Sequence, residues 1–174
     1  MNVYRSRLAN VCAHLNEHHV RYVLFGAMAM QLWGTTRATR DVDILIDPTM
    51  DNADRVIAAL SEIGFGFARE LTAAELLASH VTMIGDIPKV DVFTLVWSIR
   101  YPEASAAVTV FEVEGVPIPT ASIDHLIASK RTNRLQDLAD IEVLEAIKVV
   151  RAQQAPPGTA RQLIDEERDE TDRG

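Results

Sequence analysis

The sequence predicts an α+β fold: one small mixed β-sheet flanked by helices, with a short helical region towards the C-terminal end. Three observations carry this. The 174 residues are 48% apolar and 24% charged, enough to bury the core of about one domain. Helical and strand patterns alternate along the first sixty residues, then strand pairs follow, then helical spacing returns. Residues 41–46, Asp-Val-Asp-Ile-Leu-Ile, combine polar–apolar alternation with β-branched content, as a strand does.

The elements follow in order. Val3, Leu8, Val11, Cys12 and Leu15 recur at helical spacing over 3–18. Residues 20–25 are apolar, aromatic and β-branched, and read as a buried strand ending at Gly26. A short apolar helix, Ala27 to Trp33, comes next, and Gly34 with two threonines makes a turn. The strand over 41–47 stops at Pro48. Asp51 with Asp54 reads as an N-cap and its box partner for a helix over 51–63, closed by Gly64. A short helix is expected at 72–79, two strands at 81–85 and 88–96 around Gly85-Asp86, and a hairpin of 108–113 with 116–118 around Glu114-Gly115. Helices over about 121–131 and 134–151 follow. In the second, Leu135, Leu138, Ile141, Leu144 and Ile147 form one apolar stripe. The Pro/Gly break and charge run after it read as a mobile tail.

Composition excludes several classes. The single cysteine, Cys12, leaves no disulfide framework and no cysteine zinc ribbon. The longest apolar stretch, Val23 to Trp33, is too short for a bilayer, and no secretory signal pattern is present. A reducing, cytoplasmic setting and no membrane partner are therefore expected. The net charge is −8, with three arginines against six carboxylates in 152–174. Such acidity disfavours general nucleic-acid binding. Local binding of a polyanion requires Arg37, Arg40, Lys89, Lys130, Arg131 and Arg134 to converge.

The chemistry centres on the 41–46 strand. Side chains two apart share a face, so Asp41 and Asp43 lie together, about 7 Å apart, while Val42, Ile44 and Ile46 enter the core. Paired carboxylates repel, and Asp is a poor strand former. A divalent cation is one compensation; solvent-facing acids on a one-sided sheet are the alternative. Asp91, within the apolar run 90–96, joins the same face if its strand neighbours the first. Three carboxylates from two strands can hold two Mg²⁺ about 3.5–4 Å apart, as phosphoryl transfer uses them. Upstream, Gly26 permits close backbone approach, and the helix opening there offers free N–H groups to a phosphate.

Phe25-Gly26-Ala27, thirteen residues, then Asp41-Val42-Asp43-Ile44 resembles the signature of the DNA polymerase β-type nucleotidyltransferase superfamily. The run Arg37-Ala38-Thr39-Arg40 before the first aspartate, and the later segment from Lys130 through Asp137 to Asp140, resemble its AbiEii-like branch of small prokaryotic nucleotidyltransferases. The resemblance covers roughly 20–147. It implies a nucleotidyltransferase core over 1–119, helices of 120–151 packed on it and an acidic tail over 152–174. It implies that Asp41, Asp43 and Asp91 bind metal, with Asp91 activating the attacking hydroxyl. Gly26 and Ala27 would hold the triphosphate, and Lys130, with Arg37, Thr39 or Arg40, would reach the phosphates. Ala27 stands where many active relatives have Ser, which removes one hydroxyl contact.

The activity so implied is Mg²⁺-dependent transfer of a nucleoside monophosphate from an NTP to a hydroxyl of tRNA, protein or a small molecule. A toxin role with an antitoxin partner is also implied. The alternative is a non-catalytic nucleotide-binding or regulatory domain that kept the fold. A third reading is a purely structural interaction protein.

Other residues read as structural. His14 and His18 flank Glu17 at the wrong offset for a zinc motif and fit a solvated helix face. His80 and His125 are isolated. Trp33 and Trp97 lie in apolar segments and fit a core. Arg134, Asp137 and Asp140 have the spacing of intrahelical pairs.

Overall fold

The computed structural model describes residues 3–64, 66–85, 88–132 and 134–154. Helix α1 (Val3–Glu17) leads into strand β1 (Tyr22–Phe25), helix α2 (Gly26–Trp33), strand β2 (Val42–Ile46) and helix α3 (Met50–Glu62). A 3-10 segment, Gly66–Glu70, and helix α4 (Ala73–Leu77) precede strands β3 (Val81–Ile84) and β4 (Val90–Phe93). Helix α5 (Tyr101–Ala106), the hairpin β5 (Thr109–Val113) and β6 (Val116–Thr120), and helices α6 (Ile123–Ser129) and α7 (Leu135–Gln154) complete the chain. Among the described residues the strands form one sheet in the order β3-β4-β2-β1-β6-β5. It is mixed: β1 is parallel to β6 and β2 to β4, while the other pairs are antiparallel.

The centre of the sheet is covered on both faces. All four residues of β1 are buried, and so are Val42, Ile44, Leu45 and Ile46 of β2. Leu45 shares a face with the two aspartates, so that face is apolar at one end and charged at the other. Buried Asn52 ties β1 to β2. Its side-chain amide donates to the carbonyls of Arg21 and Asp47, and its oxygen accepts from the Arg21 N–H at 2.7 Å.

Several expectations change. The N-cap of α3 is Thr49, whose hydroxyl accepts from the Asn52 N–H. Asp51 lies inside the first turn and pairs with Arg55 at 3.1 Å. The strand predicted over 88–96 stops at Phe93, and Asp86 of its expected turn lies outside the described residues. The 3-10 segment and α5 were not expected; Pro102 near the start of α5 is the sequence mark of the latter. Helix α7 runs to Gln154, into the stretch assigned to the tail. The tail itself, from 155 on, lies outside the described residues.

The stripe predicted on α7 is buried only in its second half, where Leu144 is buried and Ile141 and Ile147 pack against the core. Leu135 and Leu138 are exposed, whereas Asp137, Asp140 and Leu144 are buried. A helix turns about 100° per residue, so steps of three drift around it, and Leu135 ends up about 180° from Leu144. The spacing 137-140-144 stays on one side. Among the described residues no helix is long and apolar enough to cross a membrane.

Candidate active site

The parallel pairing of β2 with β4 sets Asp91 directly beside Asp43. The antiparallel pairing of β1 with β2 sets Phe25 on the other side of Asp43. Gly26 follows immediately as the first residue of α2, with φ of +67°. A Cβ at Gly26 would fall 1.8 Å from Asp43 Oδ2. No side chain caps the start of α2, so amide N–H groups remain unpaired by capping in its first turn.

Burial, the Asp91 carboxylate and then Asp41 push the Asp43 carboxyl up to about 6, against the opposing charges of Lys89 and Lys130. Asp91 Oδ1 is buried without a hydrogen-bond partner. Both observations mark a place where positive charge or donors are in short supply. What is available comes from Lys89, whose ammonium lies 3.0 Å from Asp91 and 3.7 Å from Asp41. The hydrogen bond to Asp91 and the three carboxylates hold Lys89 above its ordinary range, against partial burial. Asp41 is the outermost of the three, its side chain 45% exposed. Its backbone N–H donates to the Thr39 hydroxyl at 3.2 Å.

The second half of the site is an ion-pair cluster. Lys130 closes α6 and lies 3.2 Å from Asp137 and 3.0 Å from Asp140. Arg37 pairs with Asp140, and the Thr132 hydroxyl donates to Asp137. Burial pushes Asp137 up, but the bonds from Thr132 and Lys130 and the charges of Lys130 and Arg134 outweigh it. Its carboxyl therefore sits below the usual range. The break between α6 and α7 produces this arrangement. It turns the two aspartates inward to Lys130 rather than to Arg134.

A cavity of about 380 Å³ joins the two halves, lined among others by Gly26, Asp43, Lys130, Thr132 and Arg134, and by Phe93, Val96 and Trp97. Trp97 is 60% exposed, a correction to its assignment to the core. Trp33 is half-buried and donates from Nε1 to the Ala121 carbonyl. His18 is not on a solvated face but pairs with Glu62 at 2.9 Å.

Of the predicted residues, then, the fold brings Gly26, Asp43, Asp91 and Lys130 to one place, with Asp41 at the edge and Arg37 behind Asp140. Ala27 is buried in α2. Sequence reasoning missed Trp97 and the role of Lys89. The signal for Lys89 was its position two before Asp91, which becomes meaningful only with the β2–β4 register.

Magnesium prefers hard oxygen ligands and open positions for water and phosphate. The bare Asp91 oxygen, the raised Asp43 carboxyl and the exposed Asp41 carboxylate supply that donor set. As the side chains stand, with Lys89 between Asp41 and Asp91, no group of three or more His, Cys, Asp or Glu among the described residues is arranged to hold a metal. The donor chemistry suits the ion, while the present side-chain arrangement does not hold it.

The architecture is a mixed α+β fold consistent with that of nucleotidyltransferase-like proteins. No family model matches the sequence, and no curated protein matches it. The chain is similar in structure to an antigenic nucleotidyltransferase-like protein from Paracoccidioides brasiliensis, with 15% identity, a TM-score of 0.54 and 88% of each chain covered. It is also similar to the antibiotic-resistance factor ANT(2'')-Ia, with 14% identity and a TM-score of 0.51, over 94% of this chain and 97% of the other. At such identity the likeness is one of fold.

Proposed function

We propose that this protein is a Mg²⁺-dependent nucleotidyltransferase that moves a nucleoside monophosphate from an NTP to a hydroxyl acceptor. The observation that supports it most is the pairing of Asp43 with Asp91 across β2 and β4, beside a glycine that only a bare backbone can occupy. A structural sheet has no use for two adjacent, poorly neutralised carboxylates, one lifted to about 6 and one with a bare oxygen.

In this reading Asp41, Asp43 and Asp91 hold the metal. Bound Mg²⁺ would offset charge on the phosphates in the transition state. Gly26 keeps the backbone of the α2 turn close to the triphosphate, and its amides donate to phosphate oxygens. The Asp91 carboxylate activates the attacking hydroxyl and takes its proton, and that oxygen then displaces pyrophosphate in line. Lys89, paired with Asp91 and Asp41, would give up these partners to bound Mg²⁺, and Lys130 would reach a phosphate oxygen. Arg37 stays with Asp140 and anchors α7.

The acceptor we favour is a small hydroxyl-bearing molecule. Arg37, Lys89 and Lys130, half of the basic group that an RNA would need, are already matched by carboxylates. ANT(2'')-Ia is described as an antibiotic-resistance factor, which is consistent with that acceptor class. A toxin role is proposed on sequence resemblance alone, that of the run Arg37 to Arg40 and the segment Lys130 to Asp140 to the AbiEii-like branch. The test is incubation with each labelled NTP, Mg²⁺ and cell extract, then separation of RNA, protein and small-molecule fractions. Label in a fraction from wild type but not from Asp43→Asn supports the proposal and identifies the acceptor. No pyrophosphate with any NTP would overturn it.

A second reading is favoured by Lys89 and Ala27: a non-catalytic nucleotide-binding domain whose ammonium replaces the metal. It predicts NTP binding that is indifferent to Mg²⁺.

A further inference from the structure

We propose that Trp97 is the platform on which the base of the bound nucleotide stacks, and that the cavity behind it is divided between base and phosphates. This rests on the nucleotide reading above and adds the residue that holds the base.

Trp97 sits after β4, at the first central position of a two-residue turn. Val96 donates to the Ile99 carbonyl at 3.1 Å, and Ile99 donates back to Val96 at 2.8 Å. Its φ is +57°. Tight hairpins ordinarily give such a position to Gly, Asn or Asp, and a bulky side chain is strained there. Here a tryptophan is held in that conformation while 60% exposed, so burial does not repay the strain. Ile99, by contrast, is buried and anchors the turn.

Trp97 lines the 380 Å³ cavity. The lining is of two kinds: Phe25, Phe93, Val96 and Trp97 are apolar, while Asp43, Lys130 and Thr132 are charged or polar. A ligand matching both parts is planar and aromatic at one end and anionic at the other. A nucleotide has that form, and base–aromatic stacking tolerates any base because each has a π-face. Asp43, the one of the three metal-site carboxylates that lines the cavity, lies there with Lys130, so the phosphates belong with them and the base belongs at the tryptophan.

The test compares wild type with Trp97→Ala, Trp97→Phe and Trp97→Gly. Titration calorimetry with ATP, CTP and inorganic tripolyphosphate, each with Mg²⁺, is the readout. Trp97→Ala should weaken both nucleotides on the order of tenfold and leave tripolyphosphate unchanged. Trp97→Phe should keep most of the affinity. Trp97→Gly relieves the turn, so it should be at least as stable as wild type while losing nucleotide affinity as the alanine variant does. In a Trp33→Phe background the fluorescence of Trp97 should be quenched by ATP and not by tripolyphosphate. Unchanged ATP affinity in Trp97→Ala and Trp97→Gly overturns the stacking proposal alone. Equal losses of ATP and tripolyphosphate overturn it too, because they show a structural role. Wild type binding no nucleotide overturns the nucleotide reading and the platform with it.

Discussion

A Cβ on Gly26 would lie 1.8 Å from Oδ2 of Asp43. The strand-to-helix turn and the central carboxylate are thus one unit. The close approach leaves Asp43 beneath the first turn of α2, and the positive φ of 67° demands glycine independently.

Gly26→Ala should therefore destabilise the protein by at least about 2 kcal/mol. The double variant with Asp43→Ala should recover the steric part and retain the cost of the left-handed backbone. Urea unfolding of the single and double variants measures both.

Asp43 gives a pH dependence of known sign. Its carboxyl is raised in the fold, to about 6. The native state therefore holds a proton that the unfolded chain has released between about pH 4 and 6. Stability linked to this group is complete below pH 4 and is lost as pH rises through 6. Asp43→Asn removes the loss, so in the absence of metal it should be more stable than wild type at pH 8, by at most about 3 kcal/mol. The difference should shrink towards pH 4. Thermal unfolding across this range checks it.

Lys89 acts as a tethered cation among the acids, 3.0 Å from Asp91. In Lys89→Met the metal-free protein should lose about 1 kcal/mol. Mg²⁺ should then raise its melting temperature more than it raises that of wild type, because ion and ammonium no longer compete. An identical Mg²⁺ shift in both proteins would rule out the competition.

Lys130 bridges two buried aspartates. Lys130→Ala should cost about 3 kcal/mol, since it strips a partner from buried charge while Thr132 and Arg37 remain. The Asp137 carboxyl is held below its ordinary range, so its stabilisation is present above about pH 4 and is lost as pH falls further. Acid unfolding of the variant should depend less steeply on pH than that of wild type.

The legible part of the site was local. Gly26 and the pair Asp41 and Asp43 stood out because a turn glycine and an i, i+2 alternation leave their mark within a few residues. Asp91 was legible as a candidate only, since its role required β4 to lie against β2. Trp97 read as core because its neighbours are apolar; its exposure follows from a positive-φ turn that no turn residue announced. On α7 the repeat of three correctly pointed Ile141, Leu144 and Ile147 at the core, but in the first turns Leu135 and Leu138 are exposed and Asp137 and Asp140 are buried instead. An apolar-face rule cannot anticipate carboxylates whose cations, Lys130 and Arg37, come from other elements.

By itself the sequence determined the order of helices and strands apart from α5 and the 3-10 segment, the α+β class and the acidic pair on one strand face. Those depend on backbone preferences and side-chain periods that act over a few residues. Tertiary structure alone decided that β4 runs parallel beside β2, that Lys89 reaches between Asp41 and Asp91, and that the second cluster closes around Lys130. Such relations depend on which distant segments pack together, and the free energy that selects the packing comes from the whole buried core rather than from the residues that meet in the site.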